Sequence, residues 1–196
     1  MPVTDKYNRE FKTLRVSLLR KCNLSCVYCT MGEDEVKENN ALQHSVSANT
    51  LLQQIQQLHS ALQLETVRLT GGEPLLYDLK PLTKTLQQAG FRTHLETSGA
   101  YPLSGQWNWV CLSPKKFKQP LQENFKHADE LKIIVYNKND FKWAEENAAM
   151  VSPKCKLYLQ PEWSKAAEML PLIVEYIKQN AQWELSLQMH KHLNIP

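Results

Sequence analysis

No apolar run in these 196 residues reaches the roughly 18 that a helical membrane span needs. The amino end, Met1-Pro2-Val3-Thr4-Asp5-Lys6, lacks the apolar core of a secretory leader, so the expected location is the cytoplasm. An excess of one charge is also missing. Against 20 Asp+Glu stand 23 Lys+Arg, a formal net charge of +3. So small an imbalance argues against nucleic acid or an anionic membrane as partner. Internal repeats and low-complexity tracts are absent. Cysteines are few, five in all, and odd in number. Cys22, Cys26 and Cys29 are clustered, whereas Cys111 and Cys155 stand alone. In a reducing compartment that distribution favours a metal centre over disulfides.

What is present reads as one globular domain over residues 1–196, with 42% hydrophobic and 22% charged residues. Residues 32–47 are polar and partly acidic and read as a loop. Elsewhere strand and helix patterns alternate. Strands are expected at 14–19, 66–70, 93–96, 109–112, 131–136, 156–160 and 184–188. Helices are expected at 48–62, with Ser47 as N-cap, and at 79–89, 140–149 and 164–180. Seven strands with fewer helices imply an α/β fold with a mostly parallel sheet, an incomplete barrel. In such sheets chemistry gathers at the carboxyl ends of strands. The unusual motifs fall there: Cys22 after the first strand, Gly71-Gly72-Glu73-Pro74 after the second, Glu96-Thr97-Ser98-Gly99 at the third. Ser113-Pro114-Lys115 follows the fourth, and Gln160-Pro161 ends a later one.

The cysteine segment, Lys21 to Cys29, has C-x3-C-x2-C spacing. Thiolates are the usual ligands of iron–sulfur clusters, and three of them leave one iron of a [4Fe–4S] cubane open. A structural zinc module would need a fourth ligand, and no Cys or His follows at finger spacing. Glycines at Gly71 and Gly72 permit close backbone approach, and the Glu73 carboxylate can accept from an ammonium. Ser and Thr at strand ends are commonly turn caps, and Lys115 and Lys116 would ordinarily be solvated. His94 reads as structural, Cys111 and Cys155 as buried strand residues. His190 and His192 read equally as surface residues or general acids.

The cysteine spacing, with Tyr28 before the third cysteine and Gly71-Gly72-Glu73-Pro74 downstream, resembles the radical S-adenosylmethionine (SAM) superfamily. The resemblance implies a partial TIM-type barrel and a cluster on Cys22, Cys26 and Cys29. Its open iron chelates SAM and cleaves it to a 5′-deoxyadenosyl radical. Tyr28 is then expected at the adenine, and Gly71, Gly72 and Glu73 at the methionine amino group.

Within that superfamily, residues 66–196 look like 7-carboxy-7-deazaguanine synthase. The stretches that carry this are 92–99, 111–116, Glu130-Leu131-Lys132, 159–163 and the tail 186–196. The resemblance implies a carbon–nitrogen lyase that contracts 6-carboxy-5,6,7,8-tetrahydropterin with loss of ammonia, in queuosine and deazapurine biosynthesis. Ser98, Ser113, Pro114, Lys115, Gln160, Pro161, Glu162 and Trp163 would complete the SAM site. Thr70 and the terminal carboxylate of Pro196 would touch the pterin. It further implies Mg²⁺, a flavodoxin-like external reductant and a homodimer. Residues 1–65 look more like the GTP 3′,8-cyclase of molybdenum-cofactor synthesis. They lack the synthase's Gln-Gly-Glu-Gly segment, and Leu18 stands where it has arginine. Thr30-Met31 replaces its Asp-Thr, which puts a thioether where a hard cation prefers oxygen and leaves Thr30 as the candidate Mg²⁺ ligand. The alternatives are a cyclase-like reaction on a nucleotide, or a cluster- and SAM-binding protein without turnover on a pterin. The cyclase's second three-cysteine cluster is absent.

Overall fold

A computed structural model describes residues 4, 10–18 and 47–192. The chain divides into two compact units. One comprises residues 1–95 and 104–108, the other residues 96–103 and 109–196.

The first unit holds β1 (Thr13–Ser17), α1 (Ala48–Leu62), β2 (Thr66–Thr70), α2 (Lys80–Gln88) and most of β3 (Arg92–Thr97). Helix α1 covers the predicted span, and Ser47 caps it by accepting from the Thr50 N–H at 3.1 Å. It stops at Gln63, which takes a left-handed φ of 52°. β1 pairs parallel with β2, and β2 with β3. Side chains alternate across the sheet. Val67, Leu69 and Leu95 face one way and are fully buried, as are Leu86 of α2 and Ile55 of α1. Burying side chains of this size stabilises by about 1.5–3 kcal/mol each. Segment 104–108 is tied to this unit by polar contacts. Gln106 donates its N–H to Thr83 Oγ1 at 2.9 Å, and Thr93 donates its N–H to Asn108 Oδ1 at 2.8 Å.

The second unit holds β4 (Trp109–Leu112), β5 (Glu130–Val135), α3 (Asn139–Ala148), β6 (Lys156–Pro161), α4 (Ala166–Gln179), β7 (Trp183–Leu185) and a short α5 (Met189–His192). These four strands pair parallel in chain order. Leu112, Leu131, Ile133, Val135 and Leu159 form one apolar face, packed with Ala144, Met169, Ile173 and Trp183. The indole N–H of Trp183 is not lost in this core. It donates to Glu145 Oε1 at 2.7 Å, which also accepts from the Tyr176 hydroxyl at 2.6 Å.

Strand order across the sheet is β1-β2-β3-β4-β5-β6-β7, with β1–β2, β2–β3, β4–β5, β5–β6 and β6–β7 paired in parallel. This is the open α/β sheet that the sequence implied. Boundaries shift at several ends. The first strand spans 13–17, not 14–19, and β5 begins at Glu130, which pairs with Cys111. The fourth helix starts at 166 because residues 163–165 form a 3₁₀ turn capped by Glu162. The last strand is shorter and earlier than 184–188. Further 3₁₀ turns at Pro74–Leu76 and Gln122–His127 carry no periodic pattern to betray them. Cys155 lies just before β6 and not within a strand, though it is buried as expected. Of the predicted loop, residues 32–46 lie outside the described residues. Among the described residues no helix is long and apolar enough to cross a membrane.

Candidate active site

In the first unit, β2 ends at Thr70 and the chain turns through two left-handed residues, Gly71 (φ 75°) and Gly72 (φ 64°). The first glycine answers a steric demand. A Cβ on Gly71 would stand 1.8 Å from Ser17 Oγ and 3.0 Å from Ser17 Cα. β1 thus presses against this turn, and only glycine lets it do so. Ser17, unmarked by any motif, is therefore part of the site's construction. Glu73 follows, fully buried, and its Oε1 accepts from the Leu75 N–H at 3.1 Å to cap the Pro74–Leu76 turn. A buried acceptor-only carboxylate beside two glycines is a suitable receptor for an ammonium group.

In the second unit, parallel pairing places the carboxyl ends of β4, β5, β6 and β7 along one edge. Ser98 is buried and accepts from the Ala100 N–H at 3.3 Å, and Thr97 accepts from Gly99 at 3.0 Å. Ser113 donates its N–H to the Thr97 carbonyl at 2.8 Å, and its hydroxyl accepts from Lys115 Nζ at 3.1 Å. Pro114 is buried. Lys115 is held back over the strand end instead of being freely solvated. Gln160 Oε1 accepts from the Ser186 hydroxyl at 3.3 Å, joining the ends of β6 and β7. Pro161 is buried. Glu162 is buried and accepts from the Ser164 hydroxyl and the Lys165 N–H, so its evident task is to cap. Trp163 is 39% exposed, with Lys191 Nζ 5.3 Å from its ring centroid.

Beneath these strand ends lies a polar network whose pairings no motif announced. Cys111 is buried and donates its thiol to Glu130 Oε1 at 3.2 Å, while Trp109 Nε1 donates to Glu130 Oε2 at 3.0 Å. Burial, against the opposing pull of Lys132, pushes the Cys111 thiol far up, so it stays protonated. Lys132 is ion-paired to Glu96. Glu96, Cys111, Glu130 and Lys132 stood in stretches singled out in the sequence, but which of them meets which is set by strand register.

Cys22, Cys26, Tyr28, Cys29, Thr30 and Pro196 lie outside the described residues, as do the side chains of His190 and His192. Among the described residues no group of three His, Cys, Asp or Glu could hold a metal ion.

The chain matches the model of the Radical SAM superfamily over residues 16–110. It is 46% identical over 176 residues to the 7-carboxy-7-deazaguanine synthase of Flavobacterium psychrophilum, covering 89% of this chain and 80% of that protein. The chain belongs to the 7-carboxy-7-deazaguanine synthase family. Its likeness to the family extends well into the first 65 residues, beyond the 66–196 stretch that carried it in sequence. The synthase of Synechocystis is 45% identical over 174 residues, with the same shares of 89% and 80%. Among solved structures, QueE from Escherichia coli superposes with a TM-score of 0.65 at 31% identity. That match covers 72% of this chain and 64% of that one, so the chain spans a little under two thirds of the solved structure's length. As a family member the chain is a radical SAM enzyme, with a [4Fe–4S] cluster and SAM as cofactors.

Proposed function

We propose that this enzyme converts 6-carboxy-5,6,7,8-tetrahydropterin to 7-carboxy-7-deazaguanine with loss of ammonia. The observation that carries the reading is the 46% identity to a 7-carboxy-7-deazaguanine synthase across 89% of the chain. Bound together, the cluster and SAM supply a radical that abstracts a hydrogen atom from the substrate. The protein's part is to bind, orient and exclude water. Cys22, Cys26 and Cys29 are the thiolates for the cluster. This fits the state of the remaining cysteines, since Cys111 and Cys155 are buried and Cys111 is held by Glu130. Tyr28 would pack at the adenine. Gly72 and Glu73 would receive the methionine ammonium, with Gly71 setting the turn. Ser98, Ser113, Pro114, Lys115 and Gln160 to Trp163 would complete the SAM site. Glu162 would do so while capping its own turn, and Lys115 after release from Ser113. Thr70 and Pro196 would hold the pterin, and Thr30 is the oxygen ligand proposed for Mg²⁺.

The proposal further takes residues 1–196 as one catalytic domain in a cytoplasmic homodimer reduced by a flavodoxin-like protein. Nucleic acid has no place in it. Anaerobic reconstitution followed by incubation with SAM, dithionite and carboxytetrahydropterin, or with GTP, tests the assignment by mass spectrometry. Product from the pterin alone is expected. Turnover of GTP and not of the pterin would move the enzyme to a cyclase-type reaction. Release of 5′-deoxyadenosine with neither product would leave a SAM-cleaving protein without a pterin substrate.

A further inference from the structure

Two loops of the second unit carry residues assigned above to SAM. Residues 97–101, at the end of β3, hold Ser98, and residues 113–121, after β4, hold Ser113, Pro114 and Lys115. A series of contacts laces these loops together. Ser113 donates its N–H to the Thr97 carbonyl at 2.8 Å, and Leu121 donates its N–H to the Gly99 carbonyl at 2.9 Å. Gly99 is pressed between the two ends of the second loop. At its φ of 75°, an added Cβ would overlap Leu112 and stand 3.1 Å from Pro120 Cβ. Lys118 Nζ lies 3.8 Å from the centroid of the Tyr101 ring.

One side chain that no motif singled out completes the lacing. Asn124, on the Gln122–His127 turn, is 3% exposed. Its Nδ2 donates to the Gly99 carbonyl at 2.7 Å and to the Tyr101 carbonyl at 2.8 Å. Its own N–H donates to the Leu121 carbonyl at 2.9 Å, which ties the clamp to the end of the second loop. The Gly99 carbonyl thus receives two donors, Leu121 and Asn124, and both its lone pairs are used. Two carbonyls facing one side chain fix its chemistry. A carboxamide offers two N–H groups on one neutral nitrogen. A carboxylate of the same shape would turn oxygen toward oxygen.

We propose that Asn124 is a positioning residue for SAM. It acts through the two loops, setting Ser98 in place relative to Ser113 and Lys115. With the clamp closed the loops are ordered before SAM arrives, so binding does not bear the cost of ordering them. The inference rests on the reading of Ser98 and Ser113 to Lys115 as part of the SAM site.

The test titrates SAM into the anaerobically reconstituted, reduced enzyme, following the change SAM makes in the electron paramagnetic resonance spectrum of the cluster. Asn124→Asp and Asn124→Ala should each raise the SAM dissociation constant and the SAM KM about tenfold. Iron content, kcat at saturating SAM and the KM for carboxytetrahydropterin should stay within twofold. Glu145→Ala weakens the same unit away from these loops and should leave SAM affinity within twofold. Folded Asn124 variants with unchanged SAM affinity overturn the proposal, as does an equal loss in Glu145→Ala. Ser98→Ala and Ser113→Ala separate the two ways of failing. If they weaken SAM binding and the Asn124 variants do not, the inference alone fails. If none of the four has an effect, the assignment of these loops to SAM fails with it. Should the Asn124 variants not fold, hydrogen exchange on the unaltered enzyme decides. SAM should slow exchange in residues 97–101 and 121–127 together, and protection of the first segment without the second overturns the clamp.

Discussion

Lys132 and Glu96 form an ion pair whose side chains are 16% and 13% exposed. A pair this buried contributes little over a well-packed apolar substitute, but removing one member strands the other. Lys132→Met alone should cost about 3–5 kcal/mol in denaturant unfolding, and Glu96→Gln a similar amount. The double variant should recover much of that loss. Strict additivity of the two single losses would show that the pair is not coupled.

Gly71→Ala places a side chain where Ser17 already stands, at a φ of 75° that L-residues avoid. The backbone penalty alone is about 1–2 kcal/mol, and the overlap adds to it. The variant should melt lower and lose SAM affinity. Adding Ser17→Gly removes the 1.8 Å contact but not the backbone strain, so rescue should be partial. Full rescue would show that strain at the turn is unimportant.

Stability should fall in alkaline solution for a reason visible in the second unit. Burial, aided by the charges of Asp129 and Glu130, pushes the Cys155 thiol up to about 11 from an ordinary 9.0. Burial and the hydrogen bond to Glu145 push the Tyr176 phenol up to about 12 from 10.0. Above the ordinary values the unfolded chain releases protons that the native state keeps. The stability contributed is thus whole below pH 9 and is lost progressively from there through pH 11 and 12. Guanidinium unfolding across pH 8–11 should show the decline, and Cys155→Ala should flatten the thiol's share of it.

Glu145 holds two donors at once, Trp183 Nε1 and the Tyr176 hydroxyl. Glu145→Ala leaves the N–H of Trp183, a residue 1% exposed, without its acceptor and should cost about 1–3 kcal/mol. Tyr176→Phe should cost about 1 kcal/mol, since Glu145 keeps its bond to Trp183. Equal losses in a thermal or denaturant scan would contradict this division.

The sequence spoke clearly where a pattern was periodic or a cap was chemical. Ser47 and the fifteen-residue helix after it are an example, as is β2 between Glu65 and the glycines. It was mute on short turns whose hydrogen bonds come from single side chains, such as Glu73 and Glu162. The strand-end motifs were legible because glycine, proline and serine are rare together. The pairings beneath them were not, because Cys111, Glu130 and Lys132 acquire their neighbours only through strand register. Sequence proximity says nothing about which residue of β1 meets which residue of β2.

The strict chain order of the strands bears on how the molecule is made. Each new strand adds beside the one synthesised before it, so no strand has to be threaded between two already in place. The growing edge is always the newest one, and its open backbone groups await the next segment to leave the ribosome. Every addition closes a loop between chain neighbours, which is the least entropically demanding way to build a parallel sheet. Assembly in the direction of translation is thus written into the order β1 to β7, and circular permutants that begin at β4 should refold more slowly than the natural chain.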